Sequence, residues 1–117
     1  MPRLARPPSL PRRADFLRAA REGLRVTATG MVVQLVDRGD TAPARLGITA
    51  TKKLGNAVAR NRIRRRLREA ARLELGTVPA PGMDIVLIGR AGTKARDFAA
   101  LRAELRRALD RAGKARP

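Results

Sequence analysis

The sequence predicts a single α+β domain, an α/β sandwich in which three helices pack on one small central sheet. Three observations carry this reading. Helical and strand periodicities alternate in the order helix, strands, helix, strand, helix. No internal repeat or composition shift divides the 117 residues. Hydrophobic residues make up 44% of the chain, yet only Phe16 and Phe98 are aromatic, so the core is aliphatic.

Residues 1–12 carry four prolines and three arginines and read as a flexible basic arm. A single domain is expected over 13–113, with 114–117 as a short frayed tail. From Arg13, Phe16, Leu17 and Ala20 share a helical face, and Gly23 offers a terminator. The segment from Arg25 to Asp37 contains MVVQLV, a β-branched apolar run suited to a strand. A Gly-, Asp- and Pro-bearing loop follows at 38–43. Leu46, Ile48 and Ala50 then alternate with Gly47, Thr49 and Thr51, the period of a half-buried strand. The second helix starts at Asn56, a good N-cap, and runs to about Leu75, where Gly76 and Pro79 stop it. MDIVLIG at 83–89 reads as a buried strand. Phe98, Leu101, Leu105, Ala108 and Leu109 space out a last helix over roughly 97–112, with Gly113 behind it.

Charge narrows the function. Twenty-seven Lys and Arg face ten acids, a net +17, and such self-repulsion favours a polyanionic partner. With no His and no Cys, Ser-His-Asp and Cys-His catalysis, Cys-based zinc sites and disulfides are excluded. The apolar runs fall far short of the ~20 residues of a membrane span, and no signal peptide is visible. The chain reads as a soluble intracellular binder of nucleic acid. Its carboxylates are scattered singly and read as surface counter-charges.

Residues 52–68, KKLGNAVARNRIRRRLR, hold Lys or Arg at eight of seventeen positions, and no acid intervenes between Asp40 and Glu69. On a helix, Ala59, Ile63, Leu67 and Ala70 form a narrow apolar stripe. Arg60, Arg64 and Arg68 line one flank, and Arg62 and Arg66 the other. Asn61 and Arg65 point away from the sheet. Each like-charged i, i+4 pair costs about 0.2–0.5 kcal/mol, and arginines in the first turns oppose the helix dipole. A phosphate backbone removes that penalty. Guanidinium forks pair with its oxygens, Lys52 and Lys53 reach the same strand, and free N–H groups from Asn56 to Ala59 add an anion-binding helix end. The Asn61 amide can read a base edge or a 2′-OH. In the last helix, by contrast, Glu104 and Asp110 interleave with Arg106 and Arg107, as on a solvated face.

The stretch TKKLGNAVARNRIRRRLREA (51–70), with Arg60-Asn61-Arg62 at its centre, resembles the signature of the bacterial ribonuclease P protein component. ADF at 14–16 and RLGIT at 45–49 fall in that family's order, and the resemblance covers about residues 9–110. It implies a fold like the second domain of ribosomal protein S5, with a left-handed βαβ crossover through the Arg-rich helix. It also implies an accessory subunit to a catalytic RNA that uses Mg²⁺ to remove the 5′ leader of precursor tRNA. No tightly bound metal of the protein's own, no obligate protein partner and no membrane are expected, and the location is the bacterial cytoplasm. By the resemblance, Lys52, Lys53, Asn56, Arg60, Asn61, Arg62, Arg64, Arg65 and Arg68 contact the catalytic RNA. Phe16, Met31, Gln34, Thr49 and Thr51 line a cleft for the leader, on the sheet face beside the first helix. Cleft positions often aromatic in the family read Ala20, Met31 and Gln34 here, which shifts leader binding from stacking towards charge and hydrogen bonds. The competing readings are a stand-alone RNA-binding or ribosomal-type protein, a DNA-binding regulator and a membrane-active helix. Only the 51–70 signature separates the first of these from a ribonuclease P subunit.

Overall fold

The structure, a computed structural model, describes residues 6–116. Helix α1 (Arg13–Glu22) leads into strands β1 (Leu24–Thr27), β2 (Met31–Asp37) and β3 (Arg45–Thr49). A 3-10 turn at Lys52–Leu54 precedes helix α2 (Ala57–Thr77), strand β4 (Met83–Gly89) and helix α3 (Phe98–Ala115). The sheet order is β1-β2-β4-β3. β1 and β4 run antiparallel to β2, whereas β3 lies parallel to β4, with α2 as the crossover. This is the expected small α+β sandwich.

Both faces of the sheet are covered. Ile63, Leu67 and Ala71 of α2 and Leu101, Leu105 and Ala108 of α3 bury one face, against Val33, Leu35, Ile85 and Leu87. On the other face Ala19 of α1 packs with Val36, Val86 and Leu10. The apolar stripe of α2 is therefore turned to the sheet as its periodicity predicts, with Ala71 added to it. No helix among the described residues is long and apolar enough to cross a membrane.

Four boundaries differ from expectation, the smallest at the end of α2, which runs through Gly76 to Thr77. The 25–37 segment is a hairpin, not one strand: the chain turns at residues 28–30, where the Ala28 N–H donates to the Met31 carbonyl at 2.9 Å. Gly30 leaves room there for the core: a Cβ would lie 2.4 Å from Leu101 Cδ2, and the buried Leu101 would have to shift. Helix α3 continues through Gly113, and the expected frayed end is tethered, with Arg116 Nε 3.0 Å from Asp37 Oδ2. The flexible arm is corrected at its inner end. Leu46 N–H donates to Pro8 O at 2.7 Å and Leu10 N–H to Leu46 O at 3.0 Å, while Leu10 is buried. An apolar side chain with a core to enter, beside an edge strand with unpaired backbone groups, makes docking more favourable than solvation. Residues 1–5, including Arg3, lie outside the described residues.

Candidate nucleic-acid interface

Helix α2 begins where Asn56 Oδ1 accepts the Ala59 N–H at 2.9 Å. This cap corrects one expectation: Asn56 itself occupies one of the N–H groups assigned to an anion, leaving those of Ala57 and Val58. Lys52 and Lys53 stand exposed on the preceding turn. Burial of Ile63, Leu67 and Ala70 then fixes the rotation of the helix and forces the arginines outward. Asn61, Arg62 and Arg65 are exposed, and Arg60, Arg64 and Arg68 half-buried on the flank. Arg64 donates to Asn61 Oδ1 at 3.2 Å and to Ala50 O at 3.4 Å, which engages the Asn61 amide's acceptor but not its donors. Arg66 belongs to the fold instead. It donates to the Arg96 carbonyl and lies 6.0 Å from the Phe98 ring centroid.

The distribution of acids is the feature that sets this surface apart. Eight of the ten carboxylates form ion pairs with arginines, and every one of these pairs lies outside residues 52–68. Among the described residues, no carboxylate is within ion-pair distance of Lys52, Lys53, Arg60, Arg62, Arg64, Arg65 or Arg68. Arg60 and Arg66 in addition bury Nε atoms with no hydrogen-bond partner, a cost carried by a crowded cationic flank.

Three of the carboxylates are not the scattered surface counter-charges that their spacing suggests, while Glu22, Asp37, Asp40, Asp97 and Asp110 are exposed. Glu74, Asp84 and Glu104 are all buried. Arg102 Nε sits 2.6 Å from Glu74, tying α3 to α2, and Glu104 accepts from the Gly30 N–H and from Arg96 Nε, both at 2.9 Å. Asp84 is gripped by Arg38 and Arg45, each at 2.7 Å. Burial alone would raise the Asp84 pKa, but hydrogen bonds from Arg45 and Arg38 outweigh it and hold the carboxyl below its ordinary range. Apart from Arg96, eight residues before Glu104, these partners lie 28 to 74 residues away in sequence, so no local pattern announces them.

The cleft residues divide. Phe16 leans on Gly47 so closely that a Cβ there would lie 2.5 Å from the ring. A recess of about 170 Å³ beside it is lined by Arg6, Ser9, Leu10, Phe16, Gly47 and Arg68, joining the α1 face to the basic flank of α2. Gln34 lies on that same face, buried between Arg25 of β1 and Val86 of β4 in register. Thr49 is half-buried beside Ile88, and Thr51 is exposed where the chain enters the 3-10 turn. Met31 is the exception and a correction. It is 0% exposed and packs in the core beneath α2 and α3, on the opposite face of the sheet.

The comparisons agree with this geometry. The Ribonuclease P family model matches residues 4–113. The ribonuclease P protein component of Gluconacetobacter diazotrophicus is 55% identical over 104 residues, which cover 89% of this chain and 90% of the relative. That of Ruegeria pomeroyi is 53% identical over 103 residues, covering 86% and 82%. Among solved structures, the RNase P protein of Thermotoga maritima superposes with a TM-score of 0.74 at 34% identity, covering 88% of this chain and 96% of that one. The Staphylococcus aureus RNase P protein gives 0.73 at 32%, covering 89% and 94%. By sequence, fold and the placement of its arginine helix, the chain belongs to the bacterial ribonuclease P protein component family.

Proposed function

We propose that this chain, a protein component of the endoribonuclease ribonuclease P, works by binding rather than by chemistry of its own. The exposed flank of α2 lies on the RNA subunit, with Lys52, Lys53, Arg60, Arg62, Arg64, Arg65 and Arg68 on phosphates and Asn61 on a base edge or ribose hydroxyl. The 5′ leader of precursor tRNA follows the α1 face past Phe16, Gln34, Thr49 and Thr51. The recess between Phe16 and Arg68 makes these one continuous surface. The observation that carries the reading is the acid-free arginine flank of α2.

Two polyanions that must approach each other repel, and fixed guanidinium groups at their junction replace mobile cations. The protein thereby lowers the Mg²⁺ concentration at which the RNA subunit cleaves. Among the described residues no group of three His, Cys, Asp or Glu side chains is placed to hold a metal ion. In this reading the Mg²⁺ belongs to the RNA, whose phosphate oxygens supply most of its ligands. The site of action is the bacterial cytoplasm. Reconstitution tests the proposal: adding the chain to its cognate RNA subunit should raise precursor-tRNA cleavage at low Mg²⁺. An unchanged rate would overturn it.

A further inference from the structure

Helix α3 carries a second cationic surface. In sequence its acids and arginines alternate, the pattern of a neutralised solvent face. In space they do not. Glu104 is turned inward, with one oxygen on the Gly30 N–H and the other on Arg96 Nε, and is 2% exposed. It is therefore unavailable to Arg107 and Arg111, one and two turns further along. On the opposite flank of the same helix, Arg102 and Arg106 share the buried Glu74 of α2. One flank of α3 is neutralised by the fold, and the other is not.

The unneutralised flank faces the β1 edge of the sheet. Arg107 and Arg111 are exposed and have no ion-pair partner among the described residues. Together with Thr27, Thr29, Arg96 and the buried Glu104, whose two oxygens are occupied by the Gly30 N–H and Arg96, they border a recess of about 270 Å³ between α3 and the β1–β2 turn. Arg90 is exposed beside it, one guanidinium nitrogen 2.8 Å from Ala28 O. Asp110 is exposed but faces a different cavity, with Lys114 and Arg116. Because the sheet order is β1-β2-β4-β3, this surface and the β3 edge beneath α2 lie on opposite sides of the molecule.

We propose that Arg107 and Arg111, with Arg90 beside them, bind a second ribose-phosphate segment in the recess between α3 and the β1–β2 turn, separate from the segment on α2. Exposed cations without internal partners match a phosphate strand, and the Thr27 and Thr29 hydroxyls beside them suit its oxygens. The inference rests on the RNA-binding reading above. The strand belongs either to the RNA subunit or to precursor tRNA, and two arms of one experiment separate these sources.

The experiment assembles the holoenzyme with Arg107→Gln/Arg111→Gln. It measures affinity for the RNA subunit alone, and of precursor tRNA for the assembled enzyme, across a KCl series. The slope of log K against log salt should fall by roughly 0.7–0.9 for each arginine lost, in the arm whose RNA occupies the recess. Thermal stability should be unchanged, and Arg107→Lys/Arg111→Lys should retain the slope. Unchanged slopes in both arms, while Arg62→Gln/Arg65→Gln lowers its own, would overturn this inference and leave the α2 interface standing. Unchanged slopes for both variant pairs would overturn the two together.

Discussion

Arg45 holds the buried carboxylate of Asp84 with two guanidinium nitrogens, Nε at 2.8 Å from Oδ1 and Nη2 at 2.7 Å from Oδ2. Arg38 reaches Oδ1 as well, at 2.7 Å, and its other nitrogen accompanies Asp40 and the Ala42 and Pro43 carbonyls. In a chain so rich in cations, this carboxylate pins the starts of β3 and β4 to the loop after β2.

Acid stability follows from that arrangement. The folded-state pKa of Asp84 is depressed, so its contribution is present above the unfolded value of about 3.9 and is lost as pH falls through the folded value. Asp37 and Asp40 are shifted the same way, by the Gly39 N–H with Arg116 and by Arg38 respectively. Asp84→Asn should cost about 3–5 kcal/mol at neutral pH, because two guanidinium groups lose a buried partner. It should also flatten the loss of stability below about pH 4. Urea unfolding at several pH values checks both.

The two sides of α2 should respond differently to truncation. Ile63→Ala and Leu67→Ala empty fully buried positions and should each destabilise the fold by about 2–5 kcal/mol. Arg62→Ala and Arg65→Ala touch exposed side chains and should change stability by no more than about 0.5 kcal/mol. Chemical denaturation of the four variants decides whether the helix is oriented as described.

Phe16 and Gly47 should be coupled. Gly47→Ala drives a methyl into the Phe16 ring and Leu10, and should cost about 1–3 kcal/mol. In a Phe16→Ala background the cost should shrink, since the nearer clash is gone. A double-mutant cycle reads this directly, and additive effects would show that the ring does not rest on that glycine.

Glu104 should prove structural. Glu104→Ala leaves the buried Gly30 N–H without its acceptor and frees Arg96, and should cost about 1–3 kcal/mol or more. Amide exchange should quicken at Gly30 more than in α2.

How far these features were legible in sequence depends on the range over which they are encoded. Helix α2 and its orientation were readable because period, cap and charge all lie within one segment of chain. The β1–β2 turn was not, since TATG lacks the Asn-Gly or Asp-Gly signal of a tight hairpin and merges into the apolar run after it. The resemblance places Met31 in the cleft with Gln34, yet three residues apart on one strand they face opposite sides of the sheet. A strand buried on both sides loses its polar alternation, and MVVQLV gives no indication of which residues look towards α1. The partners of Glu74, Asp84 and Glu104 are set by tertiary packing alone. Leu10 was hidden among prolines and arginines whose composition suggests solvation.

The central claim is that the arginines of α2 lack internal carboxylates because RNA neutralises them. The most direct measurement is the salt dependence of RNA-subunit binding for Arg62→Ala/Arg65→Ala beside Arg18→Ala, whose guanidinium is already paired with Glu22 at 2.9 Å. The slope should fall by roughly 0.7–0.9 per arginine in the first variant and stay constant in the second. Equal slopes in the double variant and the unaltered protein would contradict it.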